Sequence, residues 1–379
     1  MFFSMLALIL VRRYAGEGNV LSKNAVLTSL LVLTSYFTRG IGLALVAATV
    51  LYLLLEGKLN LRKAAFIGLT FLIPAALWTI RNHTISPERQ LPSILRESLG
   101  YGRELILVNP SDPYSKTIGF GDLIVRLRRN ITYYEGLISN IVSGKSFGAG
   151  LGAHLISAVV LIGLIYCFIR QRTIVEYYFP FYMLIYLAWP SWQGERFLVP
   201  VIPFIFYYVL RTTELLLSLV ELIFRLIKRK VSIEGKGFRL IEGAVLLALV
   251  LFLVRSNWAI DVNIVKRERA RPYYDKVISD FLDVIGWIKE NTPPETVVIS
   301  DRPSWVYLLS GRKTFSFPWV PNTDEVVGFI RQIKADYVIV NPISSVTSRY
   351  LVPSIERNQE KFKEVYRRGN SIAYRVYMD

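Results

Sequence analysis

Apolar residues in this chain come in long runs broken by charge, and only its last third alternates in short stretches. The runs are Met1–Leu10, Ala25–Thr38, Gly40–Leu55, Ala64–Ile80, Leu151–Ile169, Tyr177–Trp189, Phe197–Leu210 and Gly243–Val254. They approach the length of about 20 residues that crosses a hydrocarbon layer. Pro74 falls within one of them, and membrane helices tolerate such prolines. The Phe197 run continues through Glu214–Leu226 as an amphipathic extension, and the Gly243 run reaches back toward Gly237. Met1–Leu10 ends at Arg12-Arg13, with no cationic start and no small-residue cleavage site. It reads as the tail of a membrane helix and not as a signal peptide.

Charges between the runs set an orientation. Arg12/Arg13, Lys58/Arg62/Lys63, Arg170/Arg172 and Lys228/Arg229/Lys230 fall on one side if each run crosses once. Cationic loops stay cytoplasmic. That parity places Arg39, Arg81, Glu195/Arg196 and everything after Trp258 outside. It requires Ala25–Leu55 to be two segments parted at Arg39, because one continuous helix would invert what precedes it.

Two regions lack span character. Residues 82–150 read as a long outer loop. Within it Phe120, Leu123, Ile124, Leu127, Ile131, Tyr134, Ile138 and Ile141 recur at helical spacing, with Arg126, Arg128 and Arg129 between them. Such a helix lies on a membrane surface or packs on its own domain, and the pattern fits both. Residues 261–379 alternate helix and strand. Val277–Ile288 is amphipathic, Val297–Ser300 and Tyr337–Val340 read as buried strands, and Pro303 opens a short helix that Gly311 ends. Val326–Ile333 is a further helix, and Ser371–Tyr377 closes the chain as hairpin-like strand. This is a small α/β domain without a glycine-rich phosphate loop. The expected architecture is a polytopic α-helical membrane protein with a C-terminal soluble α/β domain. Residues 1–260 form a membrane domain of about seven to eight helices, and residues 261–379 an extracytoplasmic domain. The plasma membrane is the expected location.

Composition agrees. Of 379 residues 53% are hydrophobic, and mean hydropathy is +0.38. The net charge of +16 brackets apolar runs, which suits anionic lipid head groups and argues against nucleic acid. The single cysteine, Cys167, lies inside a run and reads as a small buried hydrophobe, so no cysteine metal site is expected.

Motifs exclude several chemistries. With two histidines and no His-Glu-x-x-His there is no zinc-protease signature, and no Gly-x-Ser-x-Gly supports acyl transfer. His154 reads as a core residue, whereas His83 follows Arg81-Asn82 at a helix end. Two sequons, Asn82-His-Thr and Asn130-Ile-Thr, fall in the expected outer loop. The informative residues are Arg39, Arg81 and Arg196. A single arginine at a helix end is an interface anchor, but three at one face can grip a phosphate in bidentate fashion. Glu195-Arg196 also sits between Trp189-Pro-Ser-Trp192 and a helix carrying Pro200 and Pro203.

Three stretches carry a resemblance. They are Ser35-Tyr-Phe-Thr-Arg-Gly-Ile-Gly42, Ile73-Pro-Ala-Ala-Leu-Trp-Thr-Ile-Arg-Asn82 and Glu195-Arg-Phe-Leu-Val-Pro-Val-Ile-Pro203. Together they resemble the GT-C superfamily of integral-membrane glycosyltransferases, in the branch of protein O-mannosyltransferases and bacterial aminoarabinose transferases. Trp287-Ile-Lys-Glu-Asn-Thr-Pro-Pro294 and Ala335-Asp-Tyr-Val-Ile-Val340 are similar to phrases of the outer domain many members append. The resemblance implies transfer of a sugar from a polyprenyl-phosphate-linked donor to a protein, lipid or glycan acceptor on the outer face, with a possible divalent metal. It also implies that Arg39, Arg81, His83, Glu195 and Arg196 bind donor and lipid phosphate. The family's catalytic acid lies in the first outer loop. No residue here matches it, since Glu97, Glu104, Asp112, Asp122 and Glu195 all lie elsewhere, so the acid is expected to precede Met1. The alternative is a non-catalytic membrane scaffold, or a subunit that binds lipid phosphate or glycan. A transporter is disfavoured, as no inverted repeat is present.

Overall fold

The structure, a computed structural model, describes residues 2–85, 105–144 except 111 and 113, 150–227, 241, 243–255, 258 and 275–377. The cationic stretch Lys228/Arg229/Lys230 and the carboxylates Glu97 and Glu104 lie outside these residues. Packing divides the chain into two units. Met1–Ile85 with Phe120–Lys266 forms the first, and Ser86–Gly119 with Arg267–Asp379 the second. The stretch read as a single outer loop is thus shared between them.

The first unit is helical. Its elements are α1 (Phe2–Gly16), α2 (Lys23–Thr38), α3 (Leu43–Glu56), α4 (Asn60–Ile85), α5 (Phe120–Ser143), α6 (Leu151–Arg170), α7 (Ile174–Ala188) and α8 (Ile202–Ile227). Among the described residues three helical stretches are long and apolar enough to cross a membrane: Asn60–Asn82, Leu151–Arg170 and Val199–Ile223. Gly40–Glu56, Ile174–Ala188 and Gly243–Arg255 are apolar but shorter. The buried core contains Leu45, Leu53, Ile67, Tyr134, Tyr182 and Tyr208. Many apolar side chains on the same helices face outward, among them Leu69, Leu72, Leu161 and Ile165.

Arg39 does part the Ala25–Leu55 stretch. Its extended backbone (φ −159°, ψ 128°) stops α2, and a single 3₁₀ turn over Gly40–Gly42 starts α3. Gly42 makes the turn possible. A Cβ there would stand 2.5 Å from the Tyr36 amide nitrogen and 2.7 Å from the Ser35 carbonyl oxygen.

One end of this unit is tied by polar contacts. Lys63 is fully buried, and its ammonium donates to the carbonyls of Tyr14 (2.6 Å), Ala15 (3.0 Å) and Glu17 (2.7 Å). It thereby satisfies carbonyls that the end of α1 would leave open. The Glu17 carboxylate accepts from the Ser22 hydroxyl and the Asn24 amide, and the Ser22 hydroxyl caps α2 by accepting from the Ala25 amide at 3.1 Å. Glu56, closing α3, meets Arg172 at 3.9 Å and accepts from the Tyr177 hydroxyl at 3.1 Å. Three of the cationic loops used for orientation therefore gather at one end. Elsewhere α6 and α8 approach closely: a Cβ on Gly163 would lie 2.1 Å from the Tyr208 carbonyl oxygen, and the Thr212 hydroxyl donates to the Val159 carbonyl at 2.6 Å. Cys167 is buried and free, as a small hydrophobe should be.

The second unit contains α9 (Lys276–Asn291), β1 (Val297–Ile299), α10 (Pro303–Ser310), β2 (Lys313–Phe315), α11 (Thr323–Gln332), β3 (Tyr337–Val340), α12 (Val352–Glu356), β4 (Phe362–Arg368) and β5 (Ser371–Val376). The sheet order is β2-β1-β3-β5-β4, with β2, β1 and β3 parallel and the β4–β5 hairpin antiparallel at one edge. Val298 and Ile339 face α9 and α10, while Ile299, Val338 and Val340 face α11 and α12. Helices on both sides explain why these strands are continuous apolar runs. Gly311, at φ +72°, ends α10 in the left-handed conformation. From the earlier stretch, Leu107 pairs with Thr117, and Asp112 accepts from Arg349 (2.7 Å) and the Tyr350 hydroxyl (3.2 Å) within this same unit.

Candidate lipid-phosphate site

The site forms where α2, α4 and α7 end, at the opposite end of α2 from Ser22. After α7 the chain passes Trp189–Gln193 and enters the 3₁₀ turn Gly194–Phe197. Phe197 is buried and stacks on Tyr186, ring centroids 4.2 Å apart. Its carbonyl accepts from the Tyr182 hydroxyl at 2.7 Å. The Arg39 guanidinium lies 5.4 Å from the centroid of the Phe197 ring. Arg196 precedes Phe197 in the turn, which therefore brings Arg39 and Arg196 to one end of the bundle, both side chains being exposed.

Arg81 is exposed at the end of α4 and folds over its own Trp78 at 5.2 Å. Trp78 meets Phe37 edge-on at 5.6 Å, two residues before Arg39. The ends of α2 and α4 are therefore neighbours, and Arg81 belongs to the same end of the bundle. Glu195 is exposed in the 3₁₀ turn. His83 lies on α4, with its side chain outside the described residues. An exposed guanidinium over an aromatic face can hold an anion without burying charge, because its N–H donors point outward in its own plane. Among the described residues no group of three or more His, Cys, Asp or Glu is placed to hold a metal ion.

A polar clamp that periodicity alone did not reveal fixes this turn. Asn130 of α5 is fully buried. Its amide donates to the carbonyls of Leu187 (2.8 Å) and Trp189 (2.7 Å) and accepts from the Trp192 indole at 2.8 Å. Tyr133 stacks on Trp192 at 4.5 Å and its hydroxyl accepts from the Gly194 amide at 3.0 Å. Arg129 lies 5.0 Å over Trp192, and Arg126 is buried beside the Ala188 carbonyl. Asn130 is therefore no glycan acceptor, because both ends of its amide are spent inside the fold. The second half of α5 packs on its own unit, as one of the two readings expected. Tyr134, Ile138 and Ile141 are buried, whereas Phe120, Ile124 and Ile131 stay exposed. His154 departs from expectation. It is 54% exposed and pairs with Glu135 at 2.9 Å, at the start of α6 where solvent reaches it.

In the second unit the strand order reverses between β1 and β3, the crevice where open α/β sheets carry ligands. Asp301 follows β1 with its side chain 1% exposed. It accepts from the Asn341 amide at 2.5 Å, while its other oxygen takes no hydrogen bond and stands 3.8 Å from Arg302. Burial pushes this carboxyl above the usual range, against the opposing pull of the Asn341 hydrogen bond.

No protein-family model and no curated protein matches the chain.

Proposed function

We propose that this chain is a membrane-embedded glycosyltransferase of the GT-C kind. It takes a sugar from a polyprenyl-phosphate carrier and passes it to an acceptor at the outer face. One observation carries the reading: Arg39, at the end of α2, lies over the ring of Phe197, so that it and Arg196, the residue before Phe197, come to one end of an apolar helical bundle although remote in sequence. The leaving phosphate gains charge as the glycosidic bond breaks, and fixed guanidiniums offset that charge. The aromatic floor suits the isoprenoid or sugar beside it. Arg81 stands at the same end, Glu195 lies within the turn, and His83 is assigned to the donor from its place in the sequence two residues after Arg81. In this reading the runs form seven to eight membrane helices, the end holding Lys63 is cytoplasmic, and the α/β unit is extracytoplasmic. The acceptor base is not among the residues placed at the site.

The test is reconstitution of the chain in vesicles with a radiolabelled polyprenyl-phosphate sugar, scoring donor binding and sugar transfer separately. Wild-type protein binds the donor, and R39A or R196A loses roughly 100- to 1,000-fold in transfer rate, the range for removing a group that meets developing charge. Donor binding without transfer supports the lipid-phosphate-binding subunit instead. Donor binding indifferent to R39A, R81A and R196A removes the assignment of the site.

A further inference from the structure

At the opposite end of the bundle from Arg39 the structure holds a cavity of about 750 Å³ between α1, the start of α7 and α8. Its walls are apolar, with Met5, Leu8 and Ile9 on one side and Ile174 and Phe204 on the other. Arg12 and Arg13 line it as well, one turn further along α1. Among the described residues no carboxylate pairs with either guanidinium, and both are exposed. This arrangement differs from the Arg39 end in one respect that matters. There the cations stand over aromatic rings, whereas here they border an aliphatic space large enough for a ligand.

We propose that this cavity holds an anionic diacyl phospholipid from the leaflet facing that end. The acyl chain lies along Met5, Ile9 and Phe204, and Arg12 and Arg13 hold the phosphate. The chemistry of the lining selects this occupant. An apolar space closed by a soluble metabolite would leave Ile9 and Phe204 against water, and a neutral lipid would leave two guanidiniums without a counter-charge. Paired basic residues beside an apolar surface are the recognition pattern for anionic lipid. The long arginine stems can also lie along the acyl chain while the charged heads reach the phosphate. The inference rests on the membrane reading above but not on transfer chemistry, since the Arg39 site takes no part in it.

The experiment reconstitutes the chain in vesicles of equal parts phosphatidylcholine and phosphatidylglycerol. It is then extracted in mild detergent, and the lipids it retains are counted by native mass spectrometry. Wild-type protein keeps one phosphatidylglycerol, with about 30-fold preference over phosphatidylcholine if each arginine contributes its usual share at a membrane surface. The double variant R12Q/R13Q loses that preference. A second variant, I9W, fills the mouth of the cavity from an exposed position and expels the lipid with both arginines intact. Retention of both lipids equally by wild type, an unchanged preference in R12Q/R13Q, or undiminished retention in I9W overturns the site. A chain that inserts but shows no preference refutes this site alone, whereas a chain that stays in the aqueous fraction refutes the membrane reading with it.

Discussion

Arg39 lies over the Phe197 ring at 5.4 Å, although one residue ends α2 and the other follows α7. The contact joins two of the three segments in which charged residues were singled out, and it does so through a residue that carries no charge. A cation over an aromatic face contributes about 0.5–2 kcal/mol according to its exposure. Phe197→Leu keeps an apolar filler but removes the face. It should weaken donor binding roughly 2- to 30-fold by that range while leaving the bundle folded. Equilibrium binding of a polyprenyl-phosphate sugar to F197L and wild-type protein decides it. Equal affinity would mean that the ring only fills space.

Gly42 governs where Arg39 stands. Gly42→Ala drives a methyl into the Ser35–Tyr36 peptide at 2.5–2.7 Å, so the backbone of the α2–α3 turn must shift. Because rigid backbone and not a flexible side chain is in the way, the cost should exceed 1 kcal/mol, as for overpacked sites (about 1–3 kcal/mol). Thermal melting in detergent reads the loss. Gly40→Ala, where a Cβ meets nothing within 4 Å, is the matched control and should melt close to wild type.

Asn130→Ala strips two carbonyls and an indole of their partner in a fully buried place. Each buried group left unsatisfied costs about 1–3 kcal/mol. The variant should be destabilised by about 1–3 kcal/mol for each carbonyl left without its partner, read as a lower melting temperature in detergent. Expression in a glycosylating host gives a second check. The peptide containing Asn130 should carry no glycan, and occupancy there would contradict the fold around the clamp.

Asp301 ties stability of the α/β unit to pH. Its carboxyl titrates higher in the folded chain than in the unfolded one because burial disfavours the charged form. Across the window from the ordinary aspartate range, about pH 4, up to the raised value, the folded state binds more protons. Stability therefore falls as pH rises through that window. Asp301→Asn cannot ionise, so it should remove the decline and protect β1 and β3 more than wild type at neutral pH. Hydrogen exchange of the peptides spanning these strands, compared at acid and neutral pH, reads the sign. A steeper decline in the variant would reverse the interpretation.

Legibility in the sequence followed the range of the interactions. Val297–Ile299 and Tyr337–Val340 were readable as strands because burial on both faces makes a strand apolar throughout. Gly311 was readable as a helix end because the left-handed residue after a helix is usually glycine. The break at Arg39 was readable from charge. The three-residue strand Lys313–Phe315 was not, because its first residue is a lysine and its pattern is too short to show a period. The Asn130 clamp was hidden for a different reason. A buried polar residue looks in sequence like an exposed one, and its partners are main-chain carbonyls that leave no trace in residue type. The start of α7 was legible but passed over. Thr173 and Glu176 form a capping box, with the Thr173 amide donating to the Glu176 carboxylate at 2.7 Å. For the site, charge pointed to Arg39 and Arg196, while the residues that hold them in place are aromatic or amide.

Lys63 has a mechanical consequence. Its one ammonium grips the carbonyls of Tyr14, Ala15 and Glu17 at the end of α1, and Glu17 in turn grips Ser22 and Asn24 at the start of α2. Three helix termini are thus knotted at a single point. A pull on α1 from that end passes directly into α4 and α2, so this end behaves as a fixed pivot. Any tilting of these helices has to show its largest excursions at the far ends, where Arg39 and Arg81 stand.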